Sequence, residues 1–175
     1  MHTKYIIIIL LSCSFLFCAC QSSPGVHQKR KPPTADSMIL INKNMVIEET
    51  TLINNYLNRH KIQADTGPGG VRFSIYKHGN GAQIRPFDKV RFKYEMRFLT
   101  GDLVYSSKED GDREAVLGKT QMETGLYYAF LYMKVGDHAK IVLPSHLAFG
   151  AGGDGKKIPP RTTLVYDIEI IDIIQ

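Results

Sequence analysis

A chain of 175 residues has room for one full domain with appendages but not for two, and 43% apolar with 22% charged residues is an ordinary globular balance. The net charge of +5 is modest, and Lys29, Arg30 and Lys31 supply three of those charges in one short run, so nothing points to nucleic-acid binding. All three cysteines, Cys13, Cys18 and Cys20, lie near the start, which excludes a disulfide framework or a cysteine metal site in the folded part.

The chain begins with a positive residue, Lys4, followed by the thirteen-residue run "YIIIILLSCSFLF" and then small residues. This order reads as a signal peptide over residues 1–19, too short for a membrane-spanning helix of about 20 residues. "FCAC" resembles a bacterial lipoprotein processing site, with Ala19 before the cut, Phe17 in place of the usual Leu, and Cys20 as the lipid-bearing residue. That resemblance implies a lipid-anchored protein of the cell envelope. The next residues, "QSSPG", carry no acidic signal for surface display, which favours the periplasmic face. Residues 20–36, rich in Ser, Pro and Lys and without apolar period, read as a flexible tether.

Residues 37–66 have helical spacing. Met45, Glu49, Leu52 and Tyr56 fall on one line and Ile53, Leu57 and His60 on the next, with Asp36 or Ser37 as the cap. Three roles stay open for this helix: packing on its own domain, spacing it from a membrane, or forming a homodimer. His60 lacks a companion at ligand spacing and reads as a helix-end residue.

From 67 to 175 the pattern changes to that of the chain's main domain. "VRFSIY" alternates, turn residues follow, and "VRFKYEMRF" is the clearest strand, with Val90, Phe92, Tyr94, Met96 and Phe98 on one face and Arg91, Lys93, Glu95 and Arg97 on the other. Such alternation predicts an antiparallel sheet covered on a single side. "LVYSS" and "EAVLG" are further short strands. One helix is expected in "TQMETGLYYAFLYMKVG", with Thr120 and Glu123 at capping-box spacing and Met122, Leu126, Phe130 and Met133 as its apolar stripe. "DHAKIVLP" and "TTLVYDIEIIDII" return to the strand pattern. The predicted class is α+β: an antiparallel sheet wrapped around one short helix and preceded by an N-terminal helix.

"GAGGDGKKIPP", residues 150–160, nearly spells the phosphate-binding loop G-x-x-x-x-G-K-[ST]. A phosphate loop opens a helix, whereas Pro159, Pro160 and a strand follow here, and Lys157 replaces the hydroxyl residue. The stretch reads as an excursion between two strands, and no nucleotide is expected.

"PSHLAFGAGGDGKKIPPRTTLVYDIEI" resembles the end of an FKBP-type peptidyl-prolyl cis-trans isomerase, where P-S-x-L-A-Y-G, a loop, I-P-P and a T-L-V-F/Y strand occur in that order. "FKYEMRFLTGDLVYSS" and "LGKTQMETGLYYAFLYMKVGDHAKIVLP" resemble the earlier motifs of the same family, so the likeness covers about Val71 to Ile173. Together with the lipoprotein start, the whole resembles FKBP-like lipoproteins associated with gliding motility in Bacteroidetes. The resemblance implies an apolar groove that accelerates rotation about X–Pro bonds in exported or unfolded chains, without cofactor or metal. It also admits an alternative, a non-catalytic chaperone or binding module.

Carried over by motif, the resemblance assigns Tyr94, Tyr105 and Phe149 to the catalytic positions. Val104, Met122, Glu123, Leu126, Ile158 and Tyr166 become substrate-binding positions, Glu123 through its backbone N–H. Four positions depart from the family pattern: Val104-Tyr105 stands for Phe-Asp, Leu126 for the floor Trp, and Phe149 for a hydroxyl-bearing Tyr. A rim aromatic is aligned with Arg113. These departures predict a groove that keeps its apolar character but loses its polar fine-tuning, with reduced activity.

Overall fold

The computed structural model describes residues 34–119 and 122–174. Cys20, the signal, most of the tether and Thr120 lie outside the described residues.

The first element of the described residues is helix α1, Ala35–Arg59, with Asp36 in its first turn and Arg59 in its last, the arrangement that suits the helix dipole. Only its C-terminal third is dry, where Ile53, Tyr56 and Leu57 pack on Val142 and Val165. Met45 and Leu52 are exposed at 40% and 58%, since the dry contact with the sheet is confined to the helix's last turns. His60 follows the helix and lies against the Tyr56 ring at 4.3 Å.

Seven strands follow: β1 (Asp65–Thr66), β2 (Arg72–Lys77), β3 (Lys89–Phe98), β4 (Leu103–Ser106), β5 (Arg113–Val116), β6 (His138–Leu143) and β7 (Leu164–Ile174). All pair antiparallel in the order β1-β2-β6-β7-β3-β4, with β5 sharing the outer edge of β3. The predicted alternation of β3 and β7 holds on the concave face: Val90, Phe92, Met96, Tyr166, Ile168 and Ile170 are buried. The opposite face is not uniformly wet. Val142 and Val165 are dry there because α1 covers them, so the single-sided sheet expected from the pattern becomes two-sided at one end.

The concave face closes on helix α3, Thr124–Phe130, which buries Leu126, Ala129 and Phe130; the Phe130 ring meets Phe92 edge-on at 5.0 Å. This helix is shorter than the sequence pattern predicts. Glu123 is extended (ψ 127°) and occupies the N-cap position with no side-chain cap bond, so it does not take the third helical place that a capping box requires of it, and Met122 precedes the helix. At the other end, Tyr132 and Met133 donate to Ala129 and Phe130, three residues back, and these tight turns stop the helix. Met133 remains fully buried after it.

Two segments then shape one side of the molecule. A single turn of helix, α2 (Ser107–Asp110), fills the gap between β4 and β5 along the edge of β3. The twenty residues between Leu143 and Leu164, which pair with each other at the end of β6 and β7, leave the sheet as the expected excursion.

Candidate functional site

Between α2, the segment before α3 and the 144–163 loop lies an open cleft of about 590 Å³. Its walls come from β3 (Tyr94, Met96), β4 (Tyr105), the α2–β5 segment (Asp110, Arg113), the approach to α3 (Met122, Glu123) and the loop (Ala148, Phe149, Asp154, Lys156).

Tyr94 sits where β3 changes partner along its edge. With β4 ending opposite Glu95 and β5 beginning opposite Phe92, its backbone has no strand partner on that side. The Ser107 hydroxyl fills that gap, accepting from Tyr94 N–H at 3.1 Å and donating to Tyr94 C=O at 3.3 Å. This explains a serine in that place, since a hydroxyl both donates and accepts. The Tyr94 phenol donates to Asp110 Oδ2 at 3.2 Å. Burial, reinforced by the Asp110 carboxylate, pushes its pKa up to about 12, so it stays a neutral donor across the physiological range.

Beneath Tyr94 lies a second phenol. Tyr166, on β7 opposite Met96, is fully buried, with its ring 6.4 Å from that of Tyr94 on the same face. Its hydroxyl donates to Glu123 Oε1 at 2.7 Å, and Arg113 Nη1 donates to the same oxygen at 3.1 Å. The other oxygen, Oε2, lies 2.9 Å from Arg113 Nη2 as an ion-pair contact without hydrogen-bond alignment. Burial, then the Glu123 charge, drives the Tyr166 phenol well above its ordinary pKa. Burial works against the Arg113 charge, but Glu123 outweighs it and holds the guanidinium above its usual range. Arg113 also lies over the Phe92 ring at 5.9 Å.

A third phenol guards the mouth. Tyr105 donates to Asp154 Oδ2 at 2.6 Å, while Lys157 Nζ lies 4.7 Å above its ring and donates to Val104 C=O at 3.0 Å. The other Asp154 oxygen accepts from the N–H groups of Lys156 (2.9 Å) and Ile158 (2.7 Å). Partial burial disfavours this carboxylate, yet the Tyr105 hydroxyl and the two N–H groups prevail and hold it below its ordinary pKa. The loop's glycines serve this turn. Gly153 has φ +67°, and a Cβ there would come within 2.2 Å of Ile158 O.

The structure thus brings Tyr94, Tyr105, Phe149, Met122 and Glu123 to one cleft. Val104, Leu126, Ile158 and Tyr166 stand behind its walls, each at most 3% exposed. Leu126, in the place of the family's Trp, is wholly packed. The expectation that polar fine-tuning is lost does not hold: three phenol–carboxylate pairs line or underlie the cleft. The carboxylate missing at Tyr105 comes from Asp154, and the Glu123 side chain, disregarded in the sequence argument, ties Tyr166 to Arg113. Asp110, Asp154 and Lys156 were missed because they lie in a single turn of helix and in a loop, whose course no periodicity records. Among the described residues no group of acidic, His or Cys side chains has the arrangement to hold a metal ion.

A cleft walled by aromatic, apolar and charged side chains, inside an antiparallel sheet curled on one short helix, places the chain in the α+β class. A family profile described as FKBP-type peptidyl-prolyl cis-trans isomerase matches residues 81–171, and the chain belongs to that family. It is 33% identical over 116 residues to the probable FKBP-type peptidyl-prolyl cis-trans isomerase FkpA of Neisseria meningitidis, covering 66% of this chain and 42% of the relative. It is 30% identical over 117 residues to the FKBP-type 22 kDa peptidyl-prolyl cis-trans isomerase of Escherichia coli, covering 67% of this chain and 56% of the relative. The chain therefore spans about half the length of these relatives. A solved peptidyl-prolyl cis-trans isomerase of Pseudomonas syringae pv. tomato superposes with a TM-score of 0.65 at 25% identity, over 76% of this chain and 96% of that one.

Proposed function

We propose that the chain is a peptidyl-prolyl cis-trans isomerase that assists folding of exported proteins, tethered to a membrane of the cell envelope through a lipid on Cys20. The observation that carries the activity is the cleft itself, with Tyr94, Met122 and Phe149 forming one open wall system. Rotation about an X–Pro bond has a barrier of about 18–20 kcal/mol from amide resonance and takes about 10–100 s unaided. The twisted transition state has a less dipolar carbonyl than the planar amide. A partly dry cleft therefore disfavours the planar form relative to the twisted one, and shape complementarity adds to the effect. Neutral phenols at Tyr94 and Tyr105 supply polar contacts without bringing unpaired charge to the amide.

Phe149 cannot donate the hydrogen bond that a tyrosine would, and Leu126 leaves no exposed floor ring; both support activity below that of a complete member. The exposed apolar residues of α1, among them Ile39, Leu40, Val46 and Ile47, support pairing with a second copy, which sedimentation of the chain at rising concentration checks. Proline-limited refolding of a substrate protein, with and without the full chain, tests the activity. Faster refolding is expected. Equal rates across several residues preceding proline, with the chain still binding the unfolded substrate, would leave the alternative of a holding module. Mass spectrometry of membrane-extracted protein is expected to find acyl groups on Cys20.

A further inference from the structure

The loop that carries Ala148, Phe149, Asp154 and Lys156 into the cleft leaves the sheet at Ser145 and returns at Thr163. Both roots end on one side chain of the N-terminal helix. Glu49 Oε1 accepts from Ser145 N–H at 2.6 Å and from the Thr163 hydroxyl at 2.6 Å; Oε2 accepts from the Ser145 hydroxyl at 3.1 Å. Ser145 and Thr163 are each only 8% exposed while Glu49 is half-buried, so the donors have little access to water and leaving one unmet is costly. One turn earlier on the same helix, Met45 contacts Arg161 in the returning arm.

We propose that Glu49 is a positioning residue for the cleft, clamping both roots of the loop so that Phe149 and Asp154 keep their places. The path to the cleft is short. Ser145 C=O accepts from Ala148 N–H (3.1 Å) and Gly150 N–H (2.8 Å), the residues on either side of Phe149. The return arm is tied to the outgoing one by Arg161 N–H to Gly150 C=O at 2.8 Å. A Cβ on Gly125 would meet Leu143 at 2.5 Å and Leu147 at 3.2 Å, so the loop's first turn is packed against the start of α3, next to Met122 and Glu123. A shift of Ser145 therefore reaches both walls. The rest of the clamp's helix is held separately, by Ile53, Tyr56 and Leu57 on the sheet, which allows the two functions of α1 to be separated by mutation.

The activity arm of the test rests on the isomerase reading; the exchange arm does not. In the full chain, Glu49→Ala is compared with Glu49→Gln, which keeps a carbonyl oxygen for Ser145 N–H and Thr163. It is also compared with Ile53→Ala, which loosens α1 without touching the loop roots. Amide hydrogen exchange at Gly150 and Ile158 is expected to speed about tenfold or more in Glu49→Ala. It is expected to stay near wild type in Ile53→Ala and Glu49→Gln. The kcat/KM for an X–Pro peptide is expected to fall about fivefold or more in Glu49→Ala, mostly through KM. If Glu49→Ala does not fold, Thr163→Val, which removes one root bond isosterically, is expected to speed exchange at the same two amides. Unchanged exchange, equal effects in Ile53→Ala and Glu49→Ala, or faster exchange with unaltered kcat/KM in an active chain would each overturn the proposal. If the wild type shows no isomerase activity, the functional reading fails and exchange alone decides the clamp.

Discussion

Tyr166–Glu123 and Tyr105–Asp154 are the same chemical pair, a phenol donating to a carboxylate at 2.7 and 2.6 Å. They differ in depth. The first lies under the cleft with Tyr166 fully buried and Glu123 at 6% exposure, and its carboxylate is also bound by Arg113. The second stands at the mouth, between β4 and the loop. Bond length does not rank them; solvent does. In the floor, removing one partner strands charge away from water, whereas at the mouth water replaces the missing partner. The floor pair belongs to stability and shape, and the mouth pair to the position of a loop.

The difference is broken most forcefully at Glu123. Glu123→Ala leaves the Arg113 charge and the Tyr166 hydroxyl without their partner, and is expected to cost about 3–5 kcal/mol in urea unfolding. The triple change Arg113→Met, Glu123→Met and Tyr166→Phe is expected to recover most of it, because apolar replacement of every member of a buried polar group is often close to neutral. Tyr166→Phe removes only the hydroxyl, leaving Arg113 on the carboxylate, and is expected to cost about 1.5–3 kcal/mol as one hydrogen bond to a charged group. Tyr105→Phe is expected to leave unfolding unchanged while altering KM for an X–Pro peptide by about two- to fivefold, since it frees the loop and not the core. An unfolding shift as large as that of Tyr166→Phe would remove the distinction drawn here.

Acid sharpens the same contrast. The Asp154 carboxyl is held below its ordinary value of 3.8, so its contribution is present above that value and is lost as pH falls through the lower folded-state pKa. Protonation removes the charge that strengthens the bonds from the Tyr105 hydroxyl and from the Lys156 and Ile158 amides. Protection of the Ile158 amide, taken relative to its intrinsic exchange rate, is expected to fall on the acid side of that window in the wild type. In Asp154→Ala that protection should be low already at neutral pH, without the acid step.

The strands and the class of fold were legible because alternation along β3 and β7 records which side chains face the core, and Tyr94 and Tyr166 emerge together on that face as their spacing implies. Helix α3 was legible as an apolar stripe but not in its bounds: Glu123 looks like a capping-box residue, while the ion pair with Arg113 and the bond to Tyr166 hold it at the N-cap. The dryness of Val165 could not be read, because it depends on a helix more than a hundred residues earlier in the chain. The polar half of the cleft was invisible for a related reason. Asp110 and Asp154 sit in turn-forming segments where acidic residues are common, and only the course of the loops brings them to Tyr94 and Tyr105.

The central claim is that this cleft turns X–Pro bonds over instead of merely holding them. Magnetisation-exchange NMR on an Ala–Pro peptide tests it most directly, because cis and trans signals of the free peptide interconvert too slowly to exchange during the mixing time. With a small fraction of the full chain added, exchange cross-peaks between the two forms are expected, and they are expected to weaken in Tyr94→Ala. Peptide signals that shift on binding but show no such cross-peaks would contradict the account.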